Sequence, residues 1–273
     1  MADQNEHVGM NKTGAQMSPL ETKHMLSDDK IITRAHVGDE TAMARLRQAY
    51  ISDSGSVGSI PPPGTVKGAL STGLHMLKGD SPQILIDKLS ERLAMERTAT
   101  RLYDALLTKL DVVTEGSLSI TREDVASIRG DEARHALLIK EAIESIGGDP
   151  TAMTPSADVA GVEALGLVQV LSDPRASLAQ SLHAILTAEL SDGVGWETLI
   201  ALARQNDQTD MVTRFGDALL QERKHQVMIQ TWYQEAVGLS DVAGAQHLHA
   251  ATAVAPVTTA APAAGGVSGI GTA

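Results

Sequence analysis

The sequence predicts an all-α fold, an antiparallel four-helix bundle with one long crossover between its second and third helices. Three observations carry that expectation. Apolar residues recur in alternating steps of three and four through four long segments, the spacing of a buried helix stripe. The connections between those segments run short, long, short, which is what two antiparallel hairpins joined by one crossover require. The two halves also repeat: laying ERTATRLYDALL (96–107) on ELSDGVGWETLI (189–200) pairs Glu96 with Glu189, Tyr103 with Trp196 and Leu106 with Leu199.

Each helix has its own signals. The first is expected to open at DSPQ, with Ser81 as N-cap and Pro82 at the first helical position. Its stripe runs Leu89, Leu93, Glu96, Thr100, Tyr103, Leu107 and Leu110. The second opens at Thr121, with Asp124 three residues on in the manner of a capping box. It turns Val125, Ile128, Glu132, His135, Ile139, Ala142 and Ile146 inward and stops at GGDP. The long connection, 147–173, holds a short apolar segment, GVEALGLVQVL. The third helix is expected to start at DPRAS, capped by Asp173, with Leu178, Leu182, Ile185, Glu189, Gly193, Trp196, Ile200 and Ala203 inward. The fourth presents Met211, Phe215, Ala218, Glu222, His225, Ile229, Trp232 and Ala236 and ends at Gly238.

Flanking this domain (80–240) are two segments of different composition. Residues 1–79 form a polar extension punctuated by Gly and Pro, expected to be mostly disordered, with a short helix near 39–51 and a linker at 52–64. Residues 241–273 contain no Lys or Arg and are rich in Ala, Pro, Gly and Thr, a bias that predicts a disordered tail. The chain has no Cys, which rules out thiolate metal sites, an iron–sulfur cluster and a rubredoxin-type module. A formal charge of −12 disfavours nucleic-acid binding, which draws its affinity from basic residues. The first ten residues lack a signal-peptide pattern and no apolar run is long enough to span a membrane, so a cytoplasmic location is expected.

Charged residues interrupt two of the stripes. DEARH (131–135) and QERKH (221–225) each carry Glu-x-x-His, Glu132 with His135 and Glu222 with His225, at seam positions. Residues i and i+3 share a helix face, so each pair directs a carboxylate and an imidazole to one point. Glu96 and Glu189 are in phase with their stripes, whereas Glu91 and Glu197 are not. Glu189 and Glu222 also stand at similar distances from the turn near 205–208, while Glu197 would miss that level by roughly 9 Å. The inventory is four carboxylates and two imidazoles, a set that suits two divalent ions. Spacing alone is weak evidence: with 15 Glu and 9 His, chance supplies about half a match. A third match, Glu21 with His24, has no apolar stripe around it and is read as coincidence. The competing reading of the other two, buried salt bridges, would need more cations than the stripes provide.

The helix order Glu, Glu-x-x-His, Glu, Glu-x-x-His over 80–240 resembles the ferritin-like superfamily of di-iron carboxylate proteins, on its bacterioferritin and rubrerythrin side. The resemblance implies a ferritin-like bundle in which Glu96, Glu132, His135, Glu189, Glu222 and His225 hold two iron ions, Glu132 and Glu222 bridging. It implies ferroxidase-type oxidation of Fe²⁺ by O₂ or peroxide. Manganese in the same ligands, with catalase or peroxidase activity, is the alternative it leaves. The family often sets an Asp before the Glu-x-x-His glutamate to hydrogen-bond a histidine across the bundle. Asp131 matches, but the second copy has Gln221. Tyr103 and Trp196, each seven residues past a ligand glutamate, are read as core packing or as electron carriers beside the metals, and His183 as a solvated residue or a partner of a ligand. The long N-terminal extension argues against a ferritin cage, though not against a smaller homo-oligomer. The tail, ending in GGVSGIGTA, loosely resembles a peptide that docks cargo on a shell protein, which leaves a metal-binding cargo or interaction protein as the reading from another class.

Overall fold

The computed structural model describes residues 14–28, 40–62, 82–113 and 118–239. These residues form helices joined by turns and loops, with no strand among them. Two short helices, α1 (Pro19–Asp28) and α2 (Glu40–Asp53), lie in the N-terminal extension, which therefore carries more helix than its composition predicts. Glu21 and His24 are exposed on α1. Ser81 and the tail from 240 onward fall outside the described residues.

The core is built from α3 (Pro82–Leu110), α4 (Arg122–Ser145), α5 (Pro155–Ser172), α6 (Leu178–Gln205) and α7 (Thr209–Ala236). Its apolar residues fall into two clusters. One gathers Leu85, Leu89, Ile139, Ile143, Trp196, Ile200, Met211 and Phe215. The other gathers Leu102, Leu106, Val125, Ile128, Leu178, Leu182, Ile229 and Trp232. Reading each helix from one cluster to the other gives the directions. α3 and α7 run from the first layer to the second, and α4 and α6 run back. The pairs α3/α4 and α6/α7, which share the closest packing, are thus antiparallel hairpins.

Because α4 ends in the first layer and α6 begins in the second, the chain must return the length of the bundle between them. It does so as α5. The sequence reads 147–173 as a connection with a short apolar segment, but 18 of those residues form a regular helix about 27 Å long. Thr154 caps it by accepting from the Ala157 amide, and Pro155 stands at its first position. Both ends are fastened to α3. The Asp87 carboxylate accepts from the Ser156 amide (3.0 Å) and hydroxyl (2.6 Å) at the start. Lys109 Nζ donates to the carbonyls of Asp173 and Ala176 at the end, both at 2.8 Å. The fifth helix covers the outer sides of α3 and α6, so these two helices bury residues that a four-helix stripe leaves outside: Ser90, Arg92 and Ala99 on α3, Ser181 and Asp192 on α6.

Helix ends follow local chemistry. Thr121 caps α4 by accepting from the Asp124 amide at 3.0 Å, and its hydroxyl donates to the Asp124 carboxylate at 2.6 Å. α6 begins four residues later than its sequence suggests. Asp173 does not cap it; its carboxylate instead accepts from the Arg175 amide (2.9 Å) and guanidinium, closing an Asx turn around Pro174. Ser177 with Gln180 supplies a full capping box, which makes it the stronger start. At the far end of α4, Gly147 takes a φ of +84° and the Gly148 amide donates back to Ile143 O at 2.9 Å, the left-handed closure that glycine tolerates best. Gly147→Ala is expected to destabilise the fold by about 1–2 kcal/mol, the cost of a Cβ in that conformation. A urea denaturation series would show it as a lower midpoint with an unchanged slope.

Candidate metal centre

Between the two apolar layers lies a polar one. Glu96 on α3, Glu132 and His135 on α4, Glu189 on α6, and Glu222 and His225 on α7 all point into it, and none of the four carboxylates is more than 1% exposed. Antiparallel pairing brings them to one level. Arg223 and Lys224, between Glu222 and His225, face solvent, and Arg223 pairs with the out-of-phase Glu197 at 2.9 Å.

The six residues form two overlapping groups, in each of which one donor atom per residue lies within 4.8 Å of the others. Glu96, Glu132, His135 and Glu222 make one group; Glu132, Glu189, Glu222 and His225 make the other. Glu132 and Glu222 belong to both. Glu222 spans the centre: Oε1 is 2.7 Å from His135 Nδ1 and Oε2 is 3.3 Å from His225 Nδ1. The His225 Nδ1 is also 3.1 Å from Glu132 Oε1, and the two rings stand 6.2 Å apart. These contacts are close without being aligned as hydrogen bonds. Both Nδ1 atoms, both oxygens of Glu96, Glu132 and Glu222, and Glu189 Oε2 have no hydrogen-bond partner.

The outer atoms, by contrast, are held. His135 Nε2 meets Gln221 Oε1 at 2.9 Å and His225 Nε2 meets Asp131 Oδ2 at 3.3 Å, each across the α4–α7 interface. Gln221 Nε2 in turn donates to Asp131 Oδ1 at 3.3 Å, which ties the two partners together. With Nε2 occupied, each ring presents Nδ1 inward. Tyr103, fully buried, donates its hydroxyl to Glu189 Oε1. Trp196 makes no such bond; its ring packs edge-on to His135 at 5.4 Å and on to Phe215 at 5.4 Å. His183 is exposed beside Tyr233, away from the centre.

Two residues that the apolar stripes do not reveal complete the surroundings. Arg92, one turn before Glu96, places Nε 3.2 Å from Glu96 Oε1 and binds Asp192 through Nη2 at 2.5 Å, with Nη1 3.2 Å from the Asp192 carbonyl. The pair is buried under α5. Gly195 makes room for it, since a Cβ there would stand 2.6 Å from Arg92 Nη1. A glycine inside a long helix was the one sequence signal available, because it costs about 1 kcal/mol against alanine and asks for a packing reason.

Electrostatically, the centre is a concentration of negative charge in a dry place. Burial drives the Glu132 and Glu189 carboxyls well above their ordinary range, and the neighbouring carboxylates push them further. Burial likewise raises Glu96 to about 8, against the pull of Arg92. Burial also works against Glu222, but the two histidines outweigh it and hold it ionised, at about 2. His135 moves the other way from its burial, up to about 9, through Glu222 and Glu96. With all four carboxylates ionised and both imidazoles neutral, as they are when they hold a cation, the six side chains carry a charge of −4, which two divalent cations balance. The donor set, the orphaned inward atoms and the secured outer ones fit a pair of such ions. No known family, curated protein or solved structure matches the chain.

In the metal-free protein, Glu96 and His135 both bind protons more tightly when folded than when unfolded. Their contribution is complete at low pH; it is lost between about 4.5 and 8 for Glu96 and between about 6.5 and 9 for His135. Both losses act together between pH 6.5 and 8, at about 1 kcal/mol per group per pH unit. The Tm of chelator-treated protein is therefore expected to fall by several degrees across that window, and the fall should shrink when Mn²⁺ or Co²⁺ is supplied. A Tm that rises with pH would contradict the assignment.

Proposed function

We propose that this chain is a ferritin-like di-iron carboxylate protein whose core bundle binds two Fe²⁺ and oxidises them with O₂ or peroxide. The observation that supports it best is the overlap of the two donor groups in Glu132 and Glu222, with one histidine and one further glutamate on each side. A single-ion site would need only one such group, and a structural salt-bridge network would leave four carboxylates to two histidines and to Arg92, the one buried Lys or Arg among the described residues, which Asp192 already pairs.

Fe²⁺ is the substrate in this reading. Two Fe²⁺ each give up one electron, and the electron pair with two protons takes O₂ to hydrogen peroxide, or hydrogen peroxide to water. Bound as a pair, the ions offer both electrons to one oxygen substrate at one place. The protein contributes the rest. Glu132 and Glu222 span the two positions and keep them close, while Glu96 and Glu189 close the outer sides. His135 and His225 are fixed in ring orientation by Gln221 and Asp131. The carboxyls whose proton affinity burial has raised release protons as cations arrive, so uptake tightens with pH. The two apolar layers keep bulk water from the centre.

Elemental analysis of protein reconstituted anaerobically with Fe²⁺, followed by exposure to O₂ under an absorbance probe, tests the reading. Two irons per chain and a rapid rise in ferric absorbance are expected. Two metals without O₂ reactivity would point to manganese or to a peroxide substrate, and no stoichiometric metal would remove the di-metal reading. Glu222→Ala and His225→Ala should each lose metal. They should also lose the metal-dependent part of stability, about 2.7 kcal/mol at a hundredfold excess over Kd, or roughly 5–10 °C in Tm. A bundle that holds no metal predicts instead that chelator treatment and metal supply leave the Tm of the wild type and of both variants unchanged.

A further inference from the structure

The chain's internal repeat makes Glu96 and Glu189 equivalent positions, yet their surroundings differ. Glu189 accepts a hydrogen bond from a neutral phenol, Tyr103. Glu96 faces a full cation, with Arg92 Nε at 3.2 Å. At the offset of 93 residues that relates the halves, Arg92 corresponds to Ile185 and Asp192 to Ala99, so the ion pair exists on one side of the centre only. Arg92 and Asp192 are neutral as a pair, and what reaches the centre is a dipole whose positive end lies against Glu96. The histidines lean the same way: His135 is backed by a neutral amide, His225 by the carboxylate of Asp131. A carboxylate behind an imidazole makes it a better donor. The guanidinium also lines a cleft of about 380 Å³ between α3, α5 and α6.

Resting on the di-metal reading above, we infer that Arg92, locked by Asp192 and by the missing side chain at Gly195, is a positioning residue that makes the two cation sites unequal. The Glu189/His225 site fills first and holds its ion. The Glu96/His135 site is the weaker one, and its ion exchanges. Arg92 sets the difference by drawing electron density from Glu96 and by opposing a second positive charge beside it. A Cβ at Gly195 would stand 2.6 Å from Arg92 Nη1, so a side chain there would force the guanidinium to shift.

Anaerobic calorimetric titration of the full-length, chelator-treated protein with Co²⁺ tests this. The wild type should bind two ions in separate steps, roughly tenfold to a hundredfold apart in Kd. His225→Ala should remove the tight step and His135→Ala the weak one. Arg92→Gln with Asp192→Asn, which leaves a neutral hydrogen-bonding pair, should tighten the weak step by about tenfold and leave the tight step alone. Gly195→Ala, which keeps every charge but displaces the guanidinium, should do the same to a smaller extent, and it decides the matter if the double variant fails to fold. A merely structural Arg92 would weaken both steps alike. Equal affinities in the wild type, a separation unchanged in both variants, or loss of the tight step in His135→Ala would overturn the inference while leaving a two-ion site in place. Absence of any stoichiometric binding in the wild type would sink the di-metal reading itself.

Discussion

Four glutamates without solvent contact, packed within 4.8 Å groupings of each other, are the constraint on which the rest of this structure depends. An ionised carboxylate in a protein interior costs several kcal/mol even after relaxation, and four together repel. Much of the architecture keeps that cost bounded. The glutamates share one level of the bundle instead of being scattered, an arrangement that the proposed pair of cations would serve together. Apolar layers above and below provide the cohesion that the polar layer withholds. Tyr103, Gln221 and Asp131 occupy outer atoms of Glu189, His135 and His225, leaving the inward ones free to converge, and Arg92 sets a positive charge beside Glu96.

The fifth helix follows from topology and then acquires a chemical consequence. Two hairpins whose second and third members run the same way need a return path as long as the bundle, and a helix covers about 27 Å with every interior backbone group satisfied. Laid across α3 and α6, α5 converts part of their outer surface into interior. An arginine that would otherwise reach water is thereby kept beside Glu96, and its partner Asp192 is enclosed with it. The link from fold to site electrostatics therefore runs through a segment that contributes no donor of its own.

What could be read from the sequence divides along these lines. The α4 and α7 stripes, and the placing of Glu132, His135, Glu222 and His225 within them, were legible because each helix buries one face and the 3.6-residue period marks it. Glu96 and Glu189 were separable from Glu91 and Glu197 by phase and level, and the fold carries the first two inward and leaves Glu197 exposed on a surface ion pair. The period fails on α3 and α6, which are covered from two sides: Arg92 and Asp192 fall outside the stripe that faces α4 and α7. The start of α6 was misplaced for a local reason, two competing cap signals four residues apart. DP supplies an Asx turn, whereas Ser177 with Gln180 satisfies two orphan amides.

Departures from local rules gather at one place. Gly195 inside a 28-residue helix, a buried arginine on the neighbouring helix and a buried aspartate beside it each look like a fault taken singly. Taken together they are a single device, since the glycine exists to admit the arginine and the aspartate to hold it. Local rules give way where function asks for it. The repeated hairpin explains why the donor set is symmetric; symmetry by itself would give both ions the same environment and the same affinity. On the inference above, a centre that retains one cation while exchanging another would need that symmetry broken close to the donors, without touching the donors themselves. One buried guanidinium, added to one half of the repeat, is a minimal way to do it.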